Sequence, residues 1–178
     1  MKKIPKRLFV AVEIPEQIRE TIFLEISQKL PAGKMSLVKK ENLHLTLCFL
    51  GYLNEKEEKK VVDALMEIKM MAFEIGFFGF SHFDKRVLFI EVTKGKKELE
   101  EISKALSGKT PYCKGEFHAH LTIARNKDLS GKEFESVLEG LSKTGFQAGF
   151  LATEIKLFES RISSDGPKYF LVHEKKLG

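Results

Sequence analysis

His44-Leu45-Thr46-Leu47 and His120-Leu121-Thr122-Ile123 are one pattern written twice, 76 positions apart, and each copy sits inside an apolar run. A strand alternates its side chains between two faces. Each copy would therefore show a histidine and a threonine side by side while Leu45, Leu47, Leu121 and Ile123 anchor the opposite face. Two matched polar pairs in 178 residues point to one site approached from two sides.

The repeat extends beyond the motif. Leu8, Val10, Val12 and Ile14 predict a first strand, and Pro15 opens a helix whose Ile18, Ile22, Ile26 and Leu30 recur every fourth residue until Pro31 and Gly33 stop it. A short extended piece near Leu37-Val38 precedes the first histidine strand, Leu43 to Leu50. Asn54 with Glu57 then reads as a capping pair for a helix running to about Met71. After a strand from Phe73 to Phe80 the second half follows in the same order: strand Val87 to Val92, helix Lys96 to Leu106, a short piece near Tyr112, and the second histidine strand. Ser130 with Glu133 caps a helix carrying Phe134, Val137, Leu138 and Leu141, and a strand runs from Phe146 to about Phe158. Asp165-Gly166-Pro167 signals a turn before an added strand, Lys168 to Lys175. These elements predict an α+β protein with two sheets in a mixed or antiparallel arrangement. No Gly-, Ser- or Pro-rich linker separates the halves, so they should pack together around a cleft.

Composition narrows the partners. Thirty Lys plus Arg against 25 Asp plus Glu give a net charge of +5. The excess favours an anionic partner such as nucleic acid, but a Lys-rich solvated surface would look the same. Cys48 and Cys113 form no CxxC and no even-spaced framework, so neither a disulfide scaffold nor a structural zinc site is indicated, and a reducing cytoplasm fits. The basic start Met1 to Arg7 leads into a short apolar stretch interrupted by Glu13, which is a first strand and not a signal peptide. No window is long and apolar enough to span a bilayer.

Two histidines near neutral pH can work in opposite protonation states, one taking a proton while the other gives one. Phosphodiester cleavage needs both acts, and the threonine hydroxyls beside them can donate to phosphate oxygens. No metal is required. Against this, HxT in a strand is a loose pattern, and His118 with His120 form an HxH pair that would suit a metal. His82 and His173 read as surface or structurally partnered. Phe80, Phe83, Tyr112 and Tyr169 offer stacking surfaces for a base, and Lys39, Lys40, Lys85 and Arg86 an entry path for RNA or simply a solvated face.

Asn42-Leu43-His44-Leu45-Thr46-Leu47-Cys48-Phe49-Leu50-Gly51 and Phe117-His118-Ala119-His120-Leu121-Thr122-Ile123-Ala124-Arg125 resemble the paired signatures of the 2H phosphoesterase superfamily, and within it the RNA 2′,3′-cyclic phosphodiesterase (2′-5′ RNA ligase) family. The likeness runs from Arg7-Leu8-Phe9-Val10-Ala11 to Gly166-Pro167-Lys168-Tyr169. It departs at Ala119, where many relatives carry proline, a difference of backbone stiffness more than of chemistry. The resemblance implies one domain over residues 1–178, made of two pseudo-twofold lobes whose HxTx strands face each other across a groove. It implies hydrolysis of RNA 2′,3′-cyclic phosphate ends to 2′-phosphates without a cofactor, with reversible 2′-5′ end joining on the same site. His44 would be the general acid and His120 the general base, with Thr46, Thr122 and Arg125 holding the phosphate. The partners implied are RNA ends, tRNA fragments or small nucleotides, acted on by a cytoplasmic monomer away from membranes. Arg125 raises a geometric difficulty: on a regular strand it faces away from His120. Either a bulge or strand end near Ala124 turns it inward, or it is a surface arginine. An RNA-binding module that holds phosphate ends without turning them over is the competing reading.

Overall fold

The computed structural model describes residues 4–113 and 115–178. Met1, Lys2 and Lys3 of the basic start lie outside the described residues. In chain order the elements are β1 (Lys6–Glu13), α1 (Glu16–Thr21), β2 (Met35–Leu37), β3 (His44–Leu53), α2 (Glu55–Met66), β4 (Phe73–Phe83), β5 (Val87–Lys94), α3 (Lys96–Lys109), β6 (His120–Asn126), α4 (Gly131–Ser142), β7 (Gln147–Ala152), β8 (Glu154–Ser163) and β9 (Gly166–Lys176). The strands form two antiparallel sheets, one ordered β3-β1-β8-β9 and the other β2-β6-β5-β4-β7. The expected α+β architecture, with a histidine strand in each sheet, is the one adopted. One apolar cluster takes in both sheets, with Val10, Leu45 and Leu157 from the first and Ile90, Leu121 and Ile75 from the second. Among the described residues no helix is long and apolar enough to cross a membrane.

The capping pairs form as read. Asn54 Oδ1 accepts from the backbone N–H of Lys56 and Glu57 while the Glu57 carboxylate accepts from the N–H of Asn54, and Ser130 with Glu133 does the same for α4. Four expectations need correction. The helix opened at Pro15 is α-helical only to Thr21, and a widened turn over Ile22–Ile26 follows. A strict repeat of four drifts around a 3.6-residue helix, and the wider turn takes up that drift so that Ile22 and Ile26 both stay buried. Helix α2 stops at Met66 instead of about Met71. The Ile68 N–H closes a tight turn on Leu65, and the N–H of Gly178 takes the carbonyl of Met70. The strand expected from Phe146 to Phe158 breaks at Thr153, with β7 in one sheet and β8 in the other. The inward-facing residues pass there from even positions (Ala148, Phe150, Ala152) to odd ones (Ile155, Leu157), a one-residue slip that a single flat strand cannot contain.

The fourth correction concerns the short piece near Tyr112, which is a turn where the order of the first half has an extended piece. Its neighbour Cys113 is joined to Cys48 in a disulfide, with Cα atoms 5.4 Å apart, where sequence reading had no reason to pair the two. The duplication explains the meeting. In the first half, β2 crosses to the other sheet and sets Leu37 against Ala124 of β6. Cys113 and Cys48 stand at the equivalent places, since Leu37 and Cys113 are 76 positions apart, as are Cys48 and Ala124. Each half thus sends an arm across to the other half's histidine strand, paired as a strand in one case and cross-linked in the other.

Candidate active site

Strands β3 and β6 begin at His44 and His120 and share a burial rhythm: histidine and threonine half-buried, the intervening leucines and Ile123 buried. Both also carry an extra residue three positions past the histidine. The β1–β3 register runs Ala11↔Thr46 and then Val10↔Cys48, skipping Leu47, and the β5–β6 register runs Phe89↔Thr122 and then Leu88↔Ala124, skipping Ile123. An inserted residue reverses the alternation beyond it. Phe49 and Arg125, each five positions past its histidine, are thereby turned to the histidine face. This resolves the parity of Arg125: the bulge sits one residue before Ala124, and the guanidinium faces the cleft.

A bulge leaves backbone groups without ladder partners, and here both are supplied. The buried Ser103 hydroxyl on α3 donates to the carbonyl of Leu47 at 2.8 Å, and the N–H of Val38 donates to the carbonyl of Ile123 at 2.9 Å. Ser103→Ala should lower the unfolding free energy by about 1–3 kcal/mol, the cost of an unsatisfied buried carbonyl, measurable by urea denaturation.

His44, Thr46, His120, Thr122 and Arg125 line one cavity of about 600 Å³ together with Arg7, Phe9, Phe49, Phe83, Ser160 and Tyr169. All five site residues singled out from the sequence are brought together. The imidazoles are oriented by the backbone. Nδ1–H of His44 donates to the carbonyl of Asn42, and Nδ1–H of His120 to the carbonyl of His118, each at 2.7 Å. A carbonyl only accepts, so in the neutral rings the proton sits on Nδ1 and Nε2 keeps its lone pair. The Thr46 hydroxyl donates to Nε2 of His44 at 2.9 Å. Asn42 is buried and its Nδ2 donates to the carbonyl of Pro167 at 2.8 Å, two residues before Tyr169. One residue therefore aims His44 and also fixes the strand whose Tyr169 ring stands edge-on to it, with centroids 5.2 Å apart.

Burial holds His44 below the ordinary imidazole range; its bond to Asn42 pulls the other way, and the charge of His120 adds to the lowering. His120 is also lowered, first by burial, then by the charges of His118 and Arg125, against the opposing bond to the His118 carbonyl. Tyr169 is raised by burial and pulled back by Arg7 and Arg125, so its hydroxyl is a donor at neutral pH.

The remaining candidates fall elsewhere. His118 is exposed and packs against the rings of Phe83 and Phe89, and among the described residues no three metal-ligating side chains converge. Nδ1 of His82 accepts from the N–H of Lys85 and its ring lies edge-on to Phe134, while His173 rests at 3.2 Å from the sulfur of Met66. Of the stacking candidates, Phe83 and Tyr169 reach the cavity, whereas Phe80 and Tyr112 pack on the core. Lys40 is paired with Glu16 and Glu20 and Lys85 with Glu135, while Lys39 lines an adjoining cavity of about 350 Å³ that also includes His44, and Arg86 lines neither cavity. Sequence reasoning missed Arg7, Phe9 and Phe49 as cavity residues. Arg7 and Phe9 carried the available signal, since they share a face of β1, opposite Leu8 and Val10.

The chain matches the family model of the 2′-5′ RNA ligase superfamily over residues 13–161. It is 30% identical over 173 residues to the RNA 2′,3′-cyclic phosphodiesterase of Methanocaldococcus jannaschii, covering 94% of this chain and 99% of that protein. Identity to the protein of the same name from Aquifex aeolicus is 31% over 178 residues, covering 93% and 90%. The fold is that of E. coli LigT, whose structure complexed with 3′-AMP matches with a TM-score of 0.80 at 22% identity over 98% of this chain and 99% of that one. Relatives that span nearly the whole chain, a family match reaching from β1 into β8, and two histidine strands meeting in one cavity all lead to the same assignment: this chain belongs to the 2′-5′ RNA ligase superfamily of 2H phosphoesterases.

Proposed function

We propose that the protein opens RNA 2′,3′-cyclic phosphate ends to 2′-phosphates by acid–base catalysis between His120 and His44. The observation that carries this is the meeting of His44 and His120 in one cavity, each ring held by a backbone carbonyl at Nδ1, with Thr46, Thr122 and Arg125 in the same lining. Nε2 of His120 takes a proton from water as its oxygen attacks phosphorus. The bond from phosphorus to O3′ breaks, and protonated His44 delivers its Nε2 proton to the departing oxygen. The product carries a 2′-phosphate and a free 3′ hydroxyl, and proton exchange with solvent restores the starting charges. Thr46, Thr122 and Arg125 stabilise the charge that builds on the non-bridging oxygens. The names carried by the relatives from Methanocaldococcus jannaschii and Aquifex aeolicus support the substrate class. A 5′ hydroxyl in the place of water would give a 2′-5′ linkage by the same proton transfers, with hydrolysis favoured by the excess of water.

The directions of the histidine shifts set the pH dependence. Both imidazoles lie below about 6.5 in the folded chain, so both are neutral at pH 7 in the free protein and the mixed state needed for reaction grows as pH falls. The profile of kcat/KM should be a bell with its maximum on the acid side of about 6.5, falling above it as His44 loses its proton and below it as His120 gains one. Stability should decline over the same acid range, because the unfolded chain binds those protons more readily.

The test is an RNA oligomer ending in a 2′,3′-cyclic phosphate, incubated with the protein and a chelator, with the terminal phosphate then located. A 2′-phosphate is expected. A 3′-phosphate as sole product overturns the roles of His44 and His120, activity abolished by the chelator and restored by metal overturns the metal-free route, and binding without turnover leaves only an RNA-holding module.

A further inference from the structure

The two walls of the cavity are not equivalent. At five positions past the histidine the second strand carries Arg125 and the first carries Phe49, a residue 64% exposed. The cation of the first wall comes from another strand, β1, as Arg7. The extra residue that shifts the β1–β3 register between Leu8 and Phe9 is Leu50 on β3, so β1 itself stays regular and Arg7 shares a face with Phe9. The Phe9 ring lies 4.9 Å from that of His44, which places Arg7 one same-face step further along the wall.

Arg7 is half-buried and, among the described residues, has no carboxylate partner, whereas its neighbours do: Lys6 is paired with Glu58 and Arg161 with Glu159. A partly desolvated guanidinium facing a cavity without an acid is a site for an anion. The reacting phosphate is already provided for by the histidines, the threonines and Arg125. Arg7 and Arg125 both act electrostatically on the Tyr169 hydroxyl, so that hydroxyl lies within the fields of both. A second anion would therefore sit nearby, on the first wall.

We propose that Arg7 is a specificity residue that binds the 5′-phosphoryl group of the nucleotide whose 2′,3′-cyclic phosphate reacts between His44 and His120. The inference rests on the cyclic-phosphate reading above. Its chemical basis is that an RNA end closed as a 2′,3′-cyclic phosphate continues only through its 5′ oxygen, so the next phosphate available to a cation is the 5′ one. The site would favour an RNA end, or a nucleotide bearing a 5′-phosphate, over a bare nucleoside cyclic phosphate.

Three substrates test this in the intact protein: a nucleoside 2′,3′-cyclic phosphate, the same compound with a 5′-phosphate, and a dinucleotide ending in the cyclic phosphate. For wild type, kcat/KM should be higher for the two substrates that carry a 5′-phosphoryl group, and this advantage should shrink as salt rises. Arg7→Gln should reduce the advantage by about 10-fold or more, the weight of a charge-assisted bond, and Arg7→Lys should restore part of it. Equal losses on all three substrates overturn the proposal, and so does a loss confined to the dinucleotide, which would assign the effect to the added base. A wild-type advantage that is absent, or does not respond to salt, overturns it even if a variant fails to fold. Turnover of none of the three by wild type would instead sink the underlying cyclic-phosphate reading.

Discussion

His120→Ala should lower kcat on a 2′,3′-cyclic phosphate end by about 10²- to 10⁴-fold, and His44→Ala by a similar factor, because each removes one of two coupled proton transfers. Nε2 of His120 accepts no bond among the described residues and is open to a water proton, whereas Nε2 of His44 is held by the Thr46 hydroxyl until it is protonated. The double variant should fall little below the weaker single one, since groups that act as a unit are not additive. Single-turnover rates on the cyclic-phosphate oligomer would measure this, with circular dichroism to confirm folding. A large loss from one histidine alone would refute the paired mechanism. The single variants should also lose opposite limbs of the pH bell, the alkaline limb with His44 and the acid limb with His120.

Arg125→Ala should cost about 10²- to 10³-fold in kcat/KM, the scale for removing one donor to developing charge. Arg125→Lys should recover only part of it, because an ammonium lacks the planar two-pronged geometry of a guanidinium. The readout is kcat/KM for the cyclic-phosphate oligomer at low salt. An effect below a few-fold would show that the inward turn of Arg125 has no role in holding phosphate.

Arg125 also shows how far the sequence could be read. The paired HxT segments, the capping boxes at Asn54 and Ser130 and the inward faces of the helices follow periodicities of two and 3.6, which are local and visible in one dimension. The bulge at Ile123 is not local. It depends on the pairing with β5 passing over Ile123 and on Val38, just past β2, arriving to take the freed carbonyl, so sequence alone could state the difficulty but not where it is resolved. Phe49 was missed for the same reason: its direction depends on the insertion at Leu47, which shows only against β1, whereas Arg7 lies on a regular strand and was open to reading from the alternation of β1. The break at Thr153 was legible in principle as an even-to-odd slip in the spacing of the apolar residues. The meeting of Cys48 with Cys113 depended on applying the repeat to the arms as well as to the motif.

The crossed arms have a consequence for how such a site acquires direction. A chain containing one half alone would leave the outer edge of its histidine strand open, and it could close that edge only by exchanging arms with a second copy. Such a homodimer would have two identical walls, each with the same residue five positions past the histidine. A substrate could then lie either way round, and both the 2′ and the 3′ oxygen would be equally placed to depart. Joining the halves in one chain keeps the mutual bracing, with β2 on β6 and Cys113 on Cys48, while freeing equivalent positions to diverge. Phe49 opposite Arg125 is that divergence, and it gives an otherwise twofold groove a polarity, so that a directional substrate would fit it one way round.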